Sequence, residues 1–235
     1  MKQKMLITLS FIFLIALSLS AQKVMPEAIK VENKDNTTEL VLFSGNYFSW
    51  TTFSTDKNEF IATKGGQWSR DRGNLILKYE FHTQDPTQIN KTVAYKGKSM
   101  RKQLFSQSKE AKITIENKLP SAPLANPYLI SGRKQNEEIQ RMDTTRPRKT
   151  MKLLTGRYFQ WIAFNTETGE FFGTGGGTYT AQDGKYTEHI LFFSRDNSRV
   201  GATLSFDFEL KGEDWHHSGL SSKGDPIYEI WTVRK

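Results

Sequence analysis

Two stretches of this chain are copies of one text. Leu42–Gly73 reads LFSGNYFSWTTFSTDKNEFIATKGGQWSRDRG, and Leu153–Gly184 reads LLTGRYFQWIAFNTETGEFFGTGGGTYTAQDG. They align without a gap at an offset of 111 residues, and 13 of the 32 positions are identical, where chance gives roughly two. Gly45/Gly156, Tyr47/Tyr158, Phe48/Phe159, Trp50/Trp161, Phe53/Phe164 and Phe60/Phe171 coincide, as do the pairs Gly65-Gly66 and Gly176-Gly177. The chain therefore holds two copies of one unit, and whatever fold one copy takes the other must be able to approach.

The unit is written in strands. From Glu39 onward, short β-branched and aromatic runs are broken by Gly, Asn and Asp, the pattern of strands and tight turns. Thr168-Gly169, Asp183-Gly184 and Lys211-Gly212 read as hairpin turns, with glycine supplying a positive φ. Leu204, Phe206, Phe208 and Leu210 alternate with Ser205, Asp207 and Glu209, which predicts a strand with one buried and one wet face. Tyr128–Ser131 reads as the first strand of copy two, followed by a long loop in which Asn136–Met142 is the one candidate helical turn. Leu119–Thr150 separates the copies and carries Pro120, Pro123, Pro127 and Pro147, so the boundary is expected near Lys118–Pro120. Copy one then spans 22–118 and copy two 119–235, with 119–127 as linker. Copy one has no counterpart of Tyr128–Ser131 at the repeat offset, so its first strand is missing or is built from Lys23–Val31. Many short antiparallel strands joined by hairpin turns favour closure into an up-and-down barrel, which removes exposed edges.

The ends and the composition set the address. Lys2 and Lys4 precede an apolar run, Met5–Leu19, and Ser18–Ala21 supplies small residues, the layout of a secretory signal peptide over residues 1–21. No other run approaches the roughly 20 apolar residues of a membrane span. With no cysteine in the chain, there is no disulfide framework, no thiolate nucleophile and no lipoprotein attachment residue. These features predict a periplasmic or secreted bacterial protein. The net charge is +8, but the basic residues are scattered; the densest groups, Lys96–Lys102 and Arg141–Lys149, fall in predicted loops. They read as solvated charge, with no nucleic-acid partner and at most weak contact with an anionic envelope surface.

Within copy two, KLLTGRYFQWIAFN (Lys152–Asn165), GTGGGTYT (Gly173–Thr180), YTEHI (Tyr186–Ile190), WHHSG (Trp215–Gly219) and YEIWTVRK (Tyr228–Lys235) resemble the small lipocalin-like domains of secreted proteins from Gram-negative bacteria. The resemblance covers Leu124–Lys235. It implies an eight-stranded calycin-type barrel and no particular activity. Copy one keeps GNYFSW and the Gly pair but lacks the TEHI, HHSG and EIW elements. The expected architecture is all-β: two tandem lipocalin-like antiparallel up-and-down β-barrels, the first incomplete.

The repeat also singles out candidate site residues, because copy two holds polar side chains that copy one has lost. Glu188 aligns with Leu77, His189 with Lys78, His217 with Ser106 and Tyr179 with Trp68. Glu188 and His189 are neighbours on one strand and must point to opposite faces: one face carries Tyr186, Ile190 and Phe192 with Glu188, the other Thr187, Leu191 and Phe193 with His189. His216 and His217 split in the same way. The interior set is expected to combine Glu188 or His189, one of His216 and His217, Tyr228, and Trp161 with Trp231. Such a set either fixes barrel register as a hydrogen-bonded network or orients a ligand. The candidate lining residues are Trp161, Tyr179, Glu188, His189, His217 and Trp231.

No catalytic residues are assigned. There is no Gly-x-Ser-x-Gly elbow, no HxH or HExxH spacing and no phosphate loop around Gly173–Gly177, whose glycines suit a bend or bulge at a barrel corner instead. No metal ligand and no cofactor are expected. The reading is a non-enzymatic binder of a small apolar or amphipathic ligand in the C-terminal barrel. The alternative is a structural or interaction module of the envelope with solid barrels.

Overall fold

The computed structural model describes residues 27–96, 111–117, 122–221 and 224–235. The expected leader and the expected boundary Lys118–Pro120 lie outside the described residues. Sixteen strands are described: β1 (Ala28–Glu32), β2 (Thr37–Ser44), β3 (Tyr47–Ser54), β4 (Glu59–Asp71), β5 (Asn74–His82), β6 (Thr92–Tyr95) and β7 (Lys112–Glu116) in copy one. Copy two has β8 (Pro127–Gln135), β9 (Glu138–Arg141), β10 (Arg148–Leu154), β11 (Tyr158–Asn165), β12 (Phe171–Gln182), β13 (Lys185–Phe193), β14 (Thr203–Lys211), β15 (Asp214–Leu220) and β16 (Pro226–Val233).

Copy two closes. Its strands pair in the order β10-β11-β12-β13-β14-β15-β16-β8, and β8 pairs again with β10, giving a closed eight-stranded antiparallel barrel in which consecutive strands are neighbours. Closure pairs each of the eight strands on both sides, the β8–β10 seam through Met151–Leu153. Copy one forms a seven-stranded sheet in the order β6-β5-β4-β3-β2-β1-β7. That is the barrel's own circuit: β2 to β6 match β10 to β14 at the repeat offset, β1 stands where β8 stands, and β7 stands where β16 stands. At the repeat offset, β15 corresponds to residues 103–109, outside the described residues.

Two expectations are corrected. The long loop after Ser131 and the candidate helical turn at Asn136–Met142 are instead a hairpin, with β9 paired to the far end of β8 from Gly132↔Arg141 to Gln135↔Glu138. Asn136 and Glu137 both take positive φ, 48° and 66°, the twist a two-residue hairpin turn needs. The strict alternation along β13 is also broken. Opposite Gly177 stands Ile190 and opposite Gly176 stands Phe192, so Leu191 is an extra residue. A bulge reverses the faces beyond it, so Ile190 and Phe193 face the barrel interior while Phe192 faces copy one. Gly177 makes this possible: a Cβ there would lie 1.9 Å from the His189 carbonyl oxygen. Copy one repeats the device between Gly65 and Gly66, where Glu80 is the extra residue.

The outward-facing residues of the two copies meet in a shared core. Ala28, Leu40, Leu42, Tyr47, Phe53 and Phe81 of copy one pack with Leu129, Met151, Leu153, Ile162, Phe164 and Phe192 of copy two. The contact is isologous, as in a two-fold dimer. Phe53 meets Phe192 with ring centroids 5.1 Å apart, and their repeat counterparts Phe164 and Phe81 meet at 4.9 Å. Phe60 stacks on its own counterpart Phe171 at 6.1 Å and 11°. Beside the rings, buried Gln160 donates to Thr63 Oγ1 at 3.2 Å and Thr174 Oγ1 at 3.0 Å and accepts from Thr51 Oγ1 at 3.0 Å. Buried Glu80 receives a two-pronged bond from Arg234, at 2.8 and 2.9 Å. The repeat is thus folded as an internal pseudo-dimer, each copy covering the other's apolar flank.

Candidate functional site

The interior of the closed barrel is aromatic at its centre. Tyr128, Phe159, Tyr179, Tyr186, Phe206, Trp215 and Trp231 form one buried cluster with Ile130 and Ile190. Edge-to-face pairs such as Tyr186–Trp215 at 5.0 Å and Tyr128–Trp215 at 5.4 Å give the rings their favoured offset geometry.

Set into this cluster is a buried ion pair. Lys152 Nζ lies 3.0 Å from Glu188 Oε1, and each side chain is 7% exposed. The register explains the meeting: Lys152 on β10 and Glu188 on β13 both take the inward phase of their strands, whose faces converge across the barrel. The ammonium also sits over three rings, 5.1 Å from the centre of Tyr186, 4.9 Å from Trp215 and 5.2 Å from Trp231. Desolvation of two ions is expensive, and the aromatic faces offset part of that cost for the cation.

A second polar pair lies nearby. His217 is buried, with Nδ1 facing Glu229 Oε2 at 3.6 Å, longer than a normal hydrogen bond, and with Nε2 lacking a hydrogen-bond partner. Burial, and then the charge of Lys152, holds the imidazole below its ordinary pKa against the opposing pull of Glu229 and Glu188. Burial by itself raises the Glu229 carboxyl, but His217, Lys152 and Arg133 together more than reverse it, leaving it below the usual carboxylate range. The histidine is therefore neutral and Glu229 ionised at neutral pH. Trp231 Nε1 donates to Glu229 Oε2 at 3.2 Å, and Arg133 approaches its other oxygen at 3.7 Å.

Above these groups the barrel is not filled. A cavity of about 250 Å³ opens at the barrel mouth, walled by residues of seven of the eight strands. Lys152, Glu188, His217 and Glu229 contribute its polar wall, with Arg133 among them; Trp161, Phe193, Leu204, Phe206, Ile227 and Trp231 contribute its apolar one. Gly175 keeps the Trp161 ring in place, since a Cβ there would lie 2.6 Å from Trp161 Nε1.

Four of the six sequence candidates, Trp161, Glu188, His217 and Trp231, converge on this cavity. Tyr179 belongs to the same interior cluster, but its hydroxyl donates to the Thr155 carbonyl at 2.5 Å and it does not line the cavity. His189 is on the outer surface, exposed and 3.3 Å from Thr203 Oγ1, because Glu188 takes the inward phase. Tyr228 likewise lies outside, 2.8 Å from His216 Nδ1. Sequence reasoning missed Lys152, Arg133 and Glu229. The repeat held a signal for the first: Lys152 aligns with Val41, a charge where copy one is apolar.

A larger surface groove of about 380 Å³ runs along the β8–β10 seam, lined by Arg141, Arg146, Arg148, Lys149 and Asp143. Its cations are engaged: Arg141 with Asp214 at 2.7 Å, Arg146 with Asp143 at 3.5 Å, Arg148 over the Phe172 ring and Lys149 on the Thr144 carbonyl. Among the described residues, no three His, Asp or Glu side chains converge in a way that could hold a metal ion, and no helix is long and apolar enough to cross a membrane. Searches against family models and curated proteins give no match to this chain.

Proposed function

We propose that this is an exported, lipocalin-like binding protein that holds a small amphipathic molecule in the mouth of its C-terminal barrel, and that copy one is a variant of the same barrel kept as a scaffold. One observation carries the reading. At the positions of Lys152 and Glu188, copy one has Val41 and Leu77, both buried in its own core. The circuit therefore forms with apolar residues at these two sites, and buried ion pairs are commonly replaced by packed apolar residues at no loss of stability. A polar set that the fold does not require, gathered around an open cavity with apolar walls, has the composition of a ligand site.

The test uses the full exported chain and the neutral fluorophore N-phenyl-1-naphthylamine, whose emission rises on entering an apolar cavity. Saturable binding is expected, accompanied by quenching of Trp161 and Trp231. In a Phe206→Trp or Ile227→Trp variant, which narrows the cavity, binding should weaken by at least about tenfold, the effect of losing one good apolar contact surface. An unaltered affinity in both variants sinks the proposal.

A further inference from the structure

The binding reading leaves open what the polar end of the ligand is, and the charges around the cavity restrict it. We infer that the ligand's head is uncharged: a hydroxyl, an amide or a similar group able to hydrogen-bond His217. The inference rests on the proposed binding role of this cavity.

Two basic and two acidic side chains line the site, and each has an opposite neighbour. Lys152 is 3.0 Å from Glu188, and Glu229 is 3.7 Å from Arg133. An anionic head placed at the depth of His217 would have to draw Lys152 away from Glu188, stranding a carboxylate that is 7% exposed; Arg133 stands at the rim, more than half exposed, 3.7 Å from Glu229. A cationic head would have to compete for the same carboxylates. The other usual receptor for a cation, a cluster of aromatic faces, is already filled, because the Lys152 ammonium lies over Tyr186, Trp215 and Trp231 within 5.2 Å. An ion of either sign added at that depth would be buried without compensation, which is costly.

A neutral head meets the opposite situation. His217 lines the cavity; its Nδ1 faces the Glu229 carboxylate at 3.6 Å, and its Nε2 is without a hydrogen-bond partner. A buried polar atom left in that state is an exception in folded proteins and calls for a partner. A neutral imidazole carries a single proton; with Nδ1 set toward a carboxylate the proton sits there, and Nε2 is left as an acceptor, the complement of a hydroxyl or an amide N–H. The apolar wall of Trp161, Leu204 and Phe206 would take the hydrocarbon part.

Three eight-carbon probes separate the alternatives: 1-octanol, octanoate and octylammonium, each titrated into the full chain at pH 7.5 with tryptophan emission as readout. Octanol should bind at least about tenfold more tightly than either ion, from the cost of burying an unpaired charge. The His217→Leu variant should bring octanol to within about threefold of the ions, from loss of one hydrogen bond. If either ion binds as tightly as octanol, the inference is overturned while the cavity's binding role survives. If none of the three binds, the binding role itself fails. The wild-type ranking decides the matter even where the variant does not fold.

Discussion

The two copies bury different things behind the same strands. In copy one, Val41 and Leu77 sit with Phe43, Phe48, Leu75 and Tyr79 in an apolar core. In copy two the equivalent pair is Lys152 and Glu188, ringed by Tyr186, Trp215 and Trp231. At the edge of that core copy one has two half-buried charged groups: Glu39 accepts from Trp50 Nε1 at 2.8 Å, and Lys64 lies 4.2 Å over the Trp50 ring. Burial raises the Glu39 carboxyl and lowers the Lys64 ammonium from their ordinary values, so these groups also bear a desolvation cost. The difference teaches that the repeat's backbone tolerates either interior. What the second copy places at the centre of its barrel is separable from what makes the barrel.

The widest break in the comparison should come from giving copy two only half of copy one's interior. Glu188→Leu leaves Lys152 buried without its counter-ion and should cost about 3–5 kcal/mol in equilibrium urea unfolding. The double change Lys152→Val with Glu188→Leu installs the copy-one residues at both sites and should recover most of that loss, because no lone charge remains. A double variant as unstable as the single one would show that the ion pair is a requirement of the fold, and would remove the main support for a binding site.

The shared flank sharpens the comparison from the other side. Phe81→Ala and Phe164→Ala delete the two rings of one contact across the pseudo-two-fold, and each should cost about 3–4 kcal/mol through lost burial and the cavity left behind. Because the two copies form one core there, both changes should shift a single unfolding transition. Two separated transitions, with Phe81→Ala moving only one of them, would mean that the copies fold independently.

The smallest effect concerns acidity. His217 is held below its ordinary pKa by burial and Lys152, His82 by burial and Lys64, and His216 by burial and Lys211. As pH falls through about 6.5, the unfolded chain takes up protons that the native histidines refuse. Stability is therefore whole above that pH and is lost as pH falls toward the native values. The melting temperature should drop by a few degrees between pH 7.5 and 5.5. His217→Phe should lessen the drop without abolishing it, since His82 and His216 remain. An unchanged pH profile in that variant would mean that His217 is not held neutral.

Much of this was legible in the text, and the failures have identifiable causes. The alternation Tyr186-Glu188-Ile190 fixes which residues share a face, yet it cannot say which face is inward; hence Glu188 and His189 were equal candidates until closure of the barrel turned one in and the other out. Phe192 was expected beside Glu188 and instead packs on Phe53 of copy one, because one extra residue in β13 reverses the alternation. The Gly pairs at 65–66 and 176–177 were the visible trace of those bulges. Glu229 and Arg133 went unnoticed since nothing local marks them; they matter only because β16 and β8 bring them together at the barrel mouth.

By itself the sequence determined that the chain is a β-rich repeat, that its strands are joined by tight turns, and that the second copy carries polar residues the first has exchanged for apolar ones. Those properties follow from side-chain periodicity and from an ungapped offset, which are local or internal to the chain. Only the tertiary structure decided that copy two closes on itself, that the apolar flanks of the copies face one another, and that Lys152, Glu188, His217 and Glu229 gather at one cavity. Each of these depends on strands far apart in sequence, where register and bulges set the inward direction, and the cost of burying charge then selects which side chains can occupy it.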